Sequence, residues 1–304
     1  MGILEGKVAI VTGAGRGVGR GEALELAAEG ARVVVNDLGG SLGGDGADQR
    51  PADQVVALIR ERGGEAVANY EDVADWQGAE RLIASALNSF GRLDILVNNA
   101  GILRDRMLFA MEEDEWDSVI RVHLKGTFAP SRHACAYWRQ ESKAGRTPRA
   151  AIVNTVSGAG LRGNVGQSNY GSAKAGIAGL TVITSLEMAR YGVRCNAISP
   201  AGVTRISGTI SKAEIKEPDE YIEYHQQNPQ NSAPTVAWLA SDQALHVTGQ
   251  VFRAIGPTIW RYEGWRLGPS VTSADEDKWR PADIAPAVNA HIFGSRAVGL
   301  EIAR

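Results

Sequence analysis

Two periodicities alternate along this chain. Short apolar runs rich in β-branched residues, readable as buried strands, are separated by longer stretches whose apolar positions recur every three to four residues, as on one face of a helix. The first unit shows this most plainly. A β-branched run at 7–11 leads into a tight turn at 12–19 with glycine at 13, 15, 17 and 19. Strong helix formers follow at 22–29, Gly30 stops them, and 32–37 is the next strand. Downstream the same reading gives helix 55–62, strand 65–69, helix 79–90, strand 93–97, one long helix 113–138, strand 151–155, helix 168–191, strand 194–198, helix 234–241 and strand 251–255. Such alternation predicts parallel strand-helix-strand crossovers in one α/β sheet. Ligands of these sheets bind beyond the carboxyl ends of the strands, where Gly13, Asp37, Asp72, Asn99, Ser157 and Pro200 fall.

Three stretches break the rhythm. Residues 39–47 form a glycine-rich loop, 205–232 is polar with weak helical pattern and reads as a candidate lid, and 257–304 is a tail carrying Trp260, Trp265 and Trp279. No repeat or linker divides the rest, so residues 1–257 are expected as one dinucleotide-binding and catalytic domain. Residues 258–304 are then an extension packed on that domain or on a partner subunit.

The turn after the first strand sets up an anion site. Glycines let the backbone bend sharply and approach a pyrophosphate, and the helix that follows offers unpaired N–H groups and a partial positive charge. Thr12, Gly13, Arg16, Gly17, Val18 and Gly19 are the binding candidates of this turn. Asp37 ends the second strand where an acidic residue meets the adenosine ribose, accepting from its hydroxyls and repelling a 2′-phosphate. This favours NAD over NADP. Arg16 is the counter-signal, since a guanidinium there could tolerate a phosphate, or it is a solvated loop charge.

Composition narrows the class without changing it. With 304 residues, 44% apolar and 22% charged, the chain is long enough for one large α/β domain. A net charge of −3 leaves no basic footprint for nucleic acid, and no apolar run reaches the roughly eighteen residues of a membrane span. Cys135 and Cys195 lie in apolar surroundings without metal spacing, which suits reduced thiols in a cytoplasmic protein. The first residues run straight into the strand with no leader, and Gly6 stands where a myristoylation signal wants Ser or Thr.

Tyr170 and Lys174 bring a base within reach. Four residues of helix place both on one face, and an ammonium beside a phenol favours the phenolate, while Ser157, thirteen residues earlier, can hold an alcohol oxygen. The chemistry suggested is alcohol–ketone interconversion.

With the glycine turn, Asn98-Asn-Ala-Gly101, Ser157 and Tyr170-x-x-x-Lys174 in order, the chain resembles the short-chain dehydrogenase/reductase family over roughly 5–257. The resemblance implies a doubly wound Rossmann fold with a mainly parallel seven-stranded sheet. It implies Tyr170 as acid/base, Lys174 lowering the tyrosine pKa and holding the nicotinamide ribose, and Ser157 binding the substrate oxygen. Asp72 and Val73 would flank the adenine, Asn99, Ala100 and Gly101 would line the cofactor, and Pro200, Gly202, Val203 and Thr204 would cover the nicotinamide amide. Where the family carries an asparagine in the long helix, this chain has Val122-His123-Leu124. His123 either relays protons or packs in the core.

A finer likeness, to the (3R)-hydroxyacyl-CoA dehydrogenase part of the peroxisomal multifunctional enzyme type 2 and its bacterial relatives, is carried by 33–40, 63–70, 98–106, 121–124, 163–167 and 256–268. It implies an acyl-CoA or steroid substrate with a fatty or steroid-derived chain, and a homodimer or homotetramer. Arg104, Arg106, Arg261 and Arg266 then become candidates for the phosphates of a CoA thioester. A hydroxysteroid dehydrogenase acting on free steroid, an NADPH-dependent ketoreductase and a silent nucleotide-binding scaffold are the alternatives; the intact Ser, Tyr and Lys oppose the last.

Overall fold

The computed structural model describes residues 2–41, 43–46, 48–200, 228–264, 267–273 and 279–293. Its strands are β1 (Val8–Thr12), β2 (Arg32–Asn36), β3 (Ala66–Asn69), β4 (Ile95–Asn98), β5 (Ala150–Thr155), β6 (Val193–Pro200), β7 (Val251–Ile255) and β8 (Thr258–Arg261). They make one sheet in the order β3-β2-β1-β4-β5-β6-β7-β8, parallel except for the last pair. Strands β1, β4 and β5 are buried at every residue, as strands covered on both faces must be, which is why they read as continuous apolar runs rather than alternating ones.

Helices cover both faces. On one side lie α1 (Gly17–Ala28), α2 (Arg50–Glu61) and α8 (Ala233–Ala240), which share a core with Ala9, Val11, Val33, Val97 and Val153 of the sheet. On the other lie α3 (Trp76–Phe90) and α5 (Gly126–Lys143), closing over Ile10, Val34, Leu96 and Ile152. Burying each such Val, Leu or Ile contributes about 1.5–3 kcal/mol. Trp138 of α5 anchors the second layer: it is 1% exposed and its indole N–H donates to Leu93 O at 2.7 Å.

The ends of α3 follow capping chemistry more closely than apolar periodicity. Asp75 accepts from Gly78 N at 2.7 Å and starts α3 three residues ahead of the expected position, and Gly91, at φ 77°, ends it. The expected long helix 113–138 is two helices. Between α4 (Glu113–Ile120) and α5 the residues Arg121–Lys125 form a π turn. The sheet also gains a strand over the seven implied by the family. Gly256, at φ 52°, and Pro257 turn the chain back, so that Thr258–Arg261, expected within the extension, pairs antiparallel with β7.

The chain divides into two compact units, Met1–Tyr262 and Glu263–Arg304. Within the second, the described residues include helix α9 (Pro281–Val288). Gly202, Val203, Thr204, Trp265, Arg266 and most of the expected lid lie outside the described residues.

Candidate active site

The strand order reverses between β1 and β4, and the crevice opened there is held by side-chain bonds. Asn99 Nδ2 donates to Thr12 O and Gly13 O, both at 3.1 Å, while Thr12 Oγ1 accepts from Asn99 N at 3.0 Å and Ala100 N at 3.2 Å. Thr12 is fully buried, so it shapes the crevice from beneath instead of lining it. Gly13 takes φ 62°, and a Cβ on Gly19 would lie 2.4 Å from Gly13 O; the turn closes this tightly only with glycine. No side chain caps α1 at Arg16, which leaves the N–H groups of its first turn for an anion.

Asp37 stands at the rim. Its Oδ2 accepts from Gly15 N and its Oδ1 from Gly39 N, each at 2.7 Å, which fixes the carboxylate and leaves further lone pairs on both oxygens. Arg16 stands at the N-cap of α1, half-buried beside this turn. The crevice therefore fits a dinucleotide by shape, by free amides and by a fixed acceptor for ribose hydroxyls.

Beside it the catalytic candidates converge. Ser157 follows β5 and caps α6 (Gly158–Arg162), its hydroxyl accepting from Ala159 N at 3.2 Å. Tyr170 and Lys174 lie one turn apart on α7 (Ser168–Met188), with Lys174 Nζ 5.7 Å from the phenol ring centroid. That ammonium is 3% exposed and donates to Thr155 O at 2.6 Å. Burial drives its pKa down to about 7, with Glu22 pulling the other way. The Tyr170 phenol is held above its ordinary range: burial raises it, the hydrogen bond with Ser157 lowers it, and the Asp105 carboxylate raises it again. The lowering expected from Lys174 does not figure among these causes; the Ser157 hydrogen bond is what opposes desolvation.

His123 belongs to the same cluster. The π turn rotates it inward, where its ring meets Tyr170 edge-on with centroids 5.0 Å apart. Nε2 lies 2.7 Å from Ile102 O and 3.1 Å from Ile102 N, so the ring donates to that carbonyl or accepts from that amide according to its tautomer, and Nδ1 is buried without a hydrogen-bond partner. Burial, then the Lys174 charge, push its pKa down to about 3, and the imidazole is neutral in any physiological buffer. Gly101 makes room for it: a Cβ there would meet His123 Cε1 at 2.3 Å. The asparagine-rich turn thus seats the histidine as well as the crevice.

Two residues of consequence escaped the sequence reading. Asn169, fully buried, donates through Nδ2 to Arg104 O at 2.9 Å and Glu115 O at 3.0 Å, and accepts from Tyr170 N at 2.7 Å; it locks the start of the catalytic helix to α4. Its only signal was the place beside Tyr170. Glu22 sits inside α1, fully buried, with neither oxygen hydrogen-bonded, and burial lifts its pKa to about 8 against the opposing pull of Lys174. A Glu among the Gly, Ala and Leu that α1 buries was the available signal.

Other candidates sit where their own partners hold them. Asp72 pairs with Arg121 and caps Ala74 N at 2.8 Å, and Val73 is buried against Gly126. Pro200 ends β6. Arg104 is paired with Asp114 at 3.0 Å and Asp45 at 3.5 Å, and Arg106 with Glu115 at 2.8 Å, exposed ion pairs with which a CoA phosphate would compete. Arg261 is exposed on β8, 3.4 Å from Gln250. Cys135 and Cys195 are free thiols, and burial pushes the first to about 12 and the second upward as well. Among the described residues no cluster of His, Cys, Asp or Glu could hold a metal ion, and no helix is long and apolar enough to cross a membrane.

Known proteins resemble this chain. A family model for short chain dehydrogenases matches residues 7–215. The chain is 43% identical to hydroxyacyl-CoA dehydrogenase ChsB1 of Mycobacterium tuberculosis over 294 residues, covering 96% of this chain and 90% of that protein. It is 48% identical to the peroxisomal multifunctional enzyme type 2 of Drosophila melanogaster over 238 residues, 78% of this chain but 37% of that longer enzyme. The crystal structure of a short chain dehydrogenase from Mycobacterium avium is 49% identical and superposes with a TM-score of 0.82 over 94% of both chains.

Glu22 titrates differently in the two states. Below its ordinary value of 4.5 the carboxyl is protonated folded or unfolded; as pH rises from there to about 8 only the unfolded chain ionises, so stability is lost across that window. Glu22→Gln removes the effect. In denaturant titrations its stability relative to the parent is expected to climb with pH by up to about 1.4 kcal/mol per unit between about pH 5 and 8. A difference that stays flat with pH would contradict the assignment.

His123→Asn offers an amide in place of the imidazole and is expected to keep substantial turnover, whereas His123→Ala should lose about tenfold more. Equal, small losses in steady-state assays would reduce the histidine to packing.

Proposed function

The chain belongs to the short-chain dehydrogenase family, and from that premise we propose an NAD-dependent enzyme that interconverts the 3-hydroxy and 3-oxo forms of an acyl-CoA, its acyl chain fatty or steroid-derived. The observation that carries the reading is the meeting of Ser157, Tyr170, Lys174 and His123 beside a crevice framed by Gly13, Gly19 and Asn99. The names of two relatives, a hydroxyacyl-CoA dehydrogenase and a peroxisomal multifunctional enzyme, support the substrate class. We place the enzyme in the cytoplasm as a homodimer or homotetramer.

The family binds a nicotinamide dinucleotide, which when bound supplies the hydride acceptor or donor. The amides of Gly17, Val18 and Gly19 at the start of α1 would hold its pyrophosphate, Asp37 the adenosine ribose, and Lys174 the nicotinamide ribose. Ser157 and Tyr170 together hold the alcohol oxygen. In oxidation the Tyr170 phenolate takes the hydroxyl proton; in reduction the phenol returns it. Lys174, as ammonium, offsets part of the desolvation that disfavours the phenolate. His123, neutral and with an open Nδ1, can pass a proton onward only as an acceptor–donor pair through its two nitrogens.

Screening hydroxyacyl-CoA thioesters and free hydroxysteroids for NADH formation tests the substrate class; turnover confined to free steroids would replace it. Tyr170→Phe keeps the ring packing and removes the acceptor, so kcat should fall by about 10²-fold or more with the NAD dissociation constant little changed. Near-parental turnover would sink the assignment.

Asp37→Ser should weaken NAD by about 1–2 kcal/mol and narrow its lead over NADP, because the carboxylate both accepts from ribose hydroxyls and repels a 2′-phosphate. A parent enzyme that prefers NADP in fluorescence titration would overturn the cofactor reading.

A further inference from the structure

The loop that leaves Asp37 comes to rest on the backbone that carries the candidate catalytic groups. Its near end is fixed at the crevice, where Gly39 N donates to Asp37 Oδ1 at 2.7 Å. Its tip is tied by bonds of its own: Ser41 N donates to Asp45 O at 2.7 Å, Gly44 N to Ser41 O at 3.1 Å and Asp45 N to Ser41 Oγ at 3.1 Å. That tip lies on the connection after β4. A Cβ added to Gly44 would come within 3.1 Å of Ile102 Cδ1, and Ile102 is the residue whose backbone meets the His123 ring. Arg104 holds the tip in place, its Nε donating to Gly43 O at 3.0 Å while its terminal nitrogens reach Asp114 at 3.0 Å and Asp45 at 3.5 Å.

The backbone of the same residue holds the catalytic helix. Arg104 O accepts from Asn169 Nδ2 at 2.9 Å, and the Asn169 oxygen accepts from Tyr170 N at 2.7 Å. Asn169 is fully buried and also donates to Glu115 O at 3.0 Å, so its amide cannot turn without leaving a buried group unpaired. Asp37 and Tyr170 are thus joined through one residue, and the hydrogen bonds along the way span 2.7–3.0 Å. A lysine could not stand in for it, because a single ammonium does not reproduce the planar fork that meets a carbonyl and two carboxylates at once.

We propose that Arg104 is a positioning residue that ties the adenosine end of the cofactor crevice to Tyr170, so that the loop anchored at Asp37 and the start of α7 are held or released together. This rests on the functional reading given above, in which Asp37 meets the adenosine ribose and Tyr170 moves the proton. A dinucleotide that engages Asp37 steadies the loop, and Arg104 passes that order to Asn169 and Tyr170. Linkage is reciprocal, so cofactor affinity must depend on Arg104 even though its side chain bonds to the loop and not to Asp37.

Cofactor affinity measured without substrate separates this role from a contact with a CoA phosphate. In fluorescence titrations Arg104→Met should raise the NAD dissociation constant about fivefold, and kcat should fall about tenfold with KM for the acyl-CoA within about twofold. In an Asp37→Ser background the same change should alter NAD affinity by less than about twofold, because the anchor it acts through is gone. Asp114→Ala removes an exposed ion pair but leaves the Gly43 and Asn169 bonds, and should stay within about twofold of the parent throughout. Amide exchange of the ligand-free protein gives a second readout: in Arg104→Met the amides of Ser41, Gly44 and Tyr170 should lose protection together. The proposal is overturned if Arg104→Met and Asp37→Ser act additively on NAD affinity, if protection is lost in the loop alone, if affinity and kcat stay parental whatever happens to thermal stability, or if the loss appears only as a raised KM for CoA thioesters. If the parent binds no nicotinamide dinucleotide or turns over no hydroxyacyl thioester, the functional reading fails, and this inference with it.

Discussion

One amide holds the site open. Asn99 ties the end of β4 to the carbonyls that end β1, at the place where the sheet reverses its winding and two neighbouring strands send their chains to opposite faces. Crevices at such points exist because the crossovers diverge, but their width depends on keeping the two strand ends level. Thr12 completes the tie through its hydroxyl, and the glycines of the turn let the backbone come near enough to be tied. Gly101, following the same turn, then admits the His123 ring. Cofactor crevice and proton-handling groups are two sides of a single short strand connection.

Desolvation is the dominant electrostatic term around it. It is the largest cause of the shifts at Tyr170, Lys174, His123 and Glu22, and the specific partners add to it or oppose it by less. The protein keeps the imidazole neutral and brings the ammonium close to titrating at neutral pH, without a hydrogen-bonded counter-ion for either. Charge in this pocket is therefore borrowed from whatever binds, and a dinucleotide with its ribose hydroxyls and ring charge is a large contribution to so dry a site.

Most of the architecture was legible because buried parallel strands and amphipathic helices leave opposite periodicities, and strands β5 and β7 fell within a residue of their expected limits. The pairing of the candidate residues was legible for a different reason: a turn of helix fixes Tyr170 against Lys174 whatever surrounds them. What the sequence hid was three-dimensional. The break at Arg121–Lys125 is marked only by Gly126 after it and Pro130 beyond, which a long helix can also carry, and Thr258–Arg261 is too short and too exposed to read as a strand without its partner. Arg104 and Arg106 looked like free cations because their carboxylates lie about ten residues away, on the next helix.

The π turn also constrains how this chain can change its length. An α-helix advances about 100° per residue, and the wider turn at Arg121–Lys125 lets α4 and α5 keep separate angular registers, one presenting Val119 inward and the other Ala134 and Trp138. Deleting a single residue there would leave a helix good by every local measure. It would also swing one half by a quarter turn or more and carry His123 away from Tyr170. His123 apart, this stretch is constrained by its residue count as well as by its residues, because an insertion or deletion moves everything beyond it.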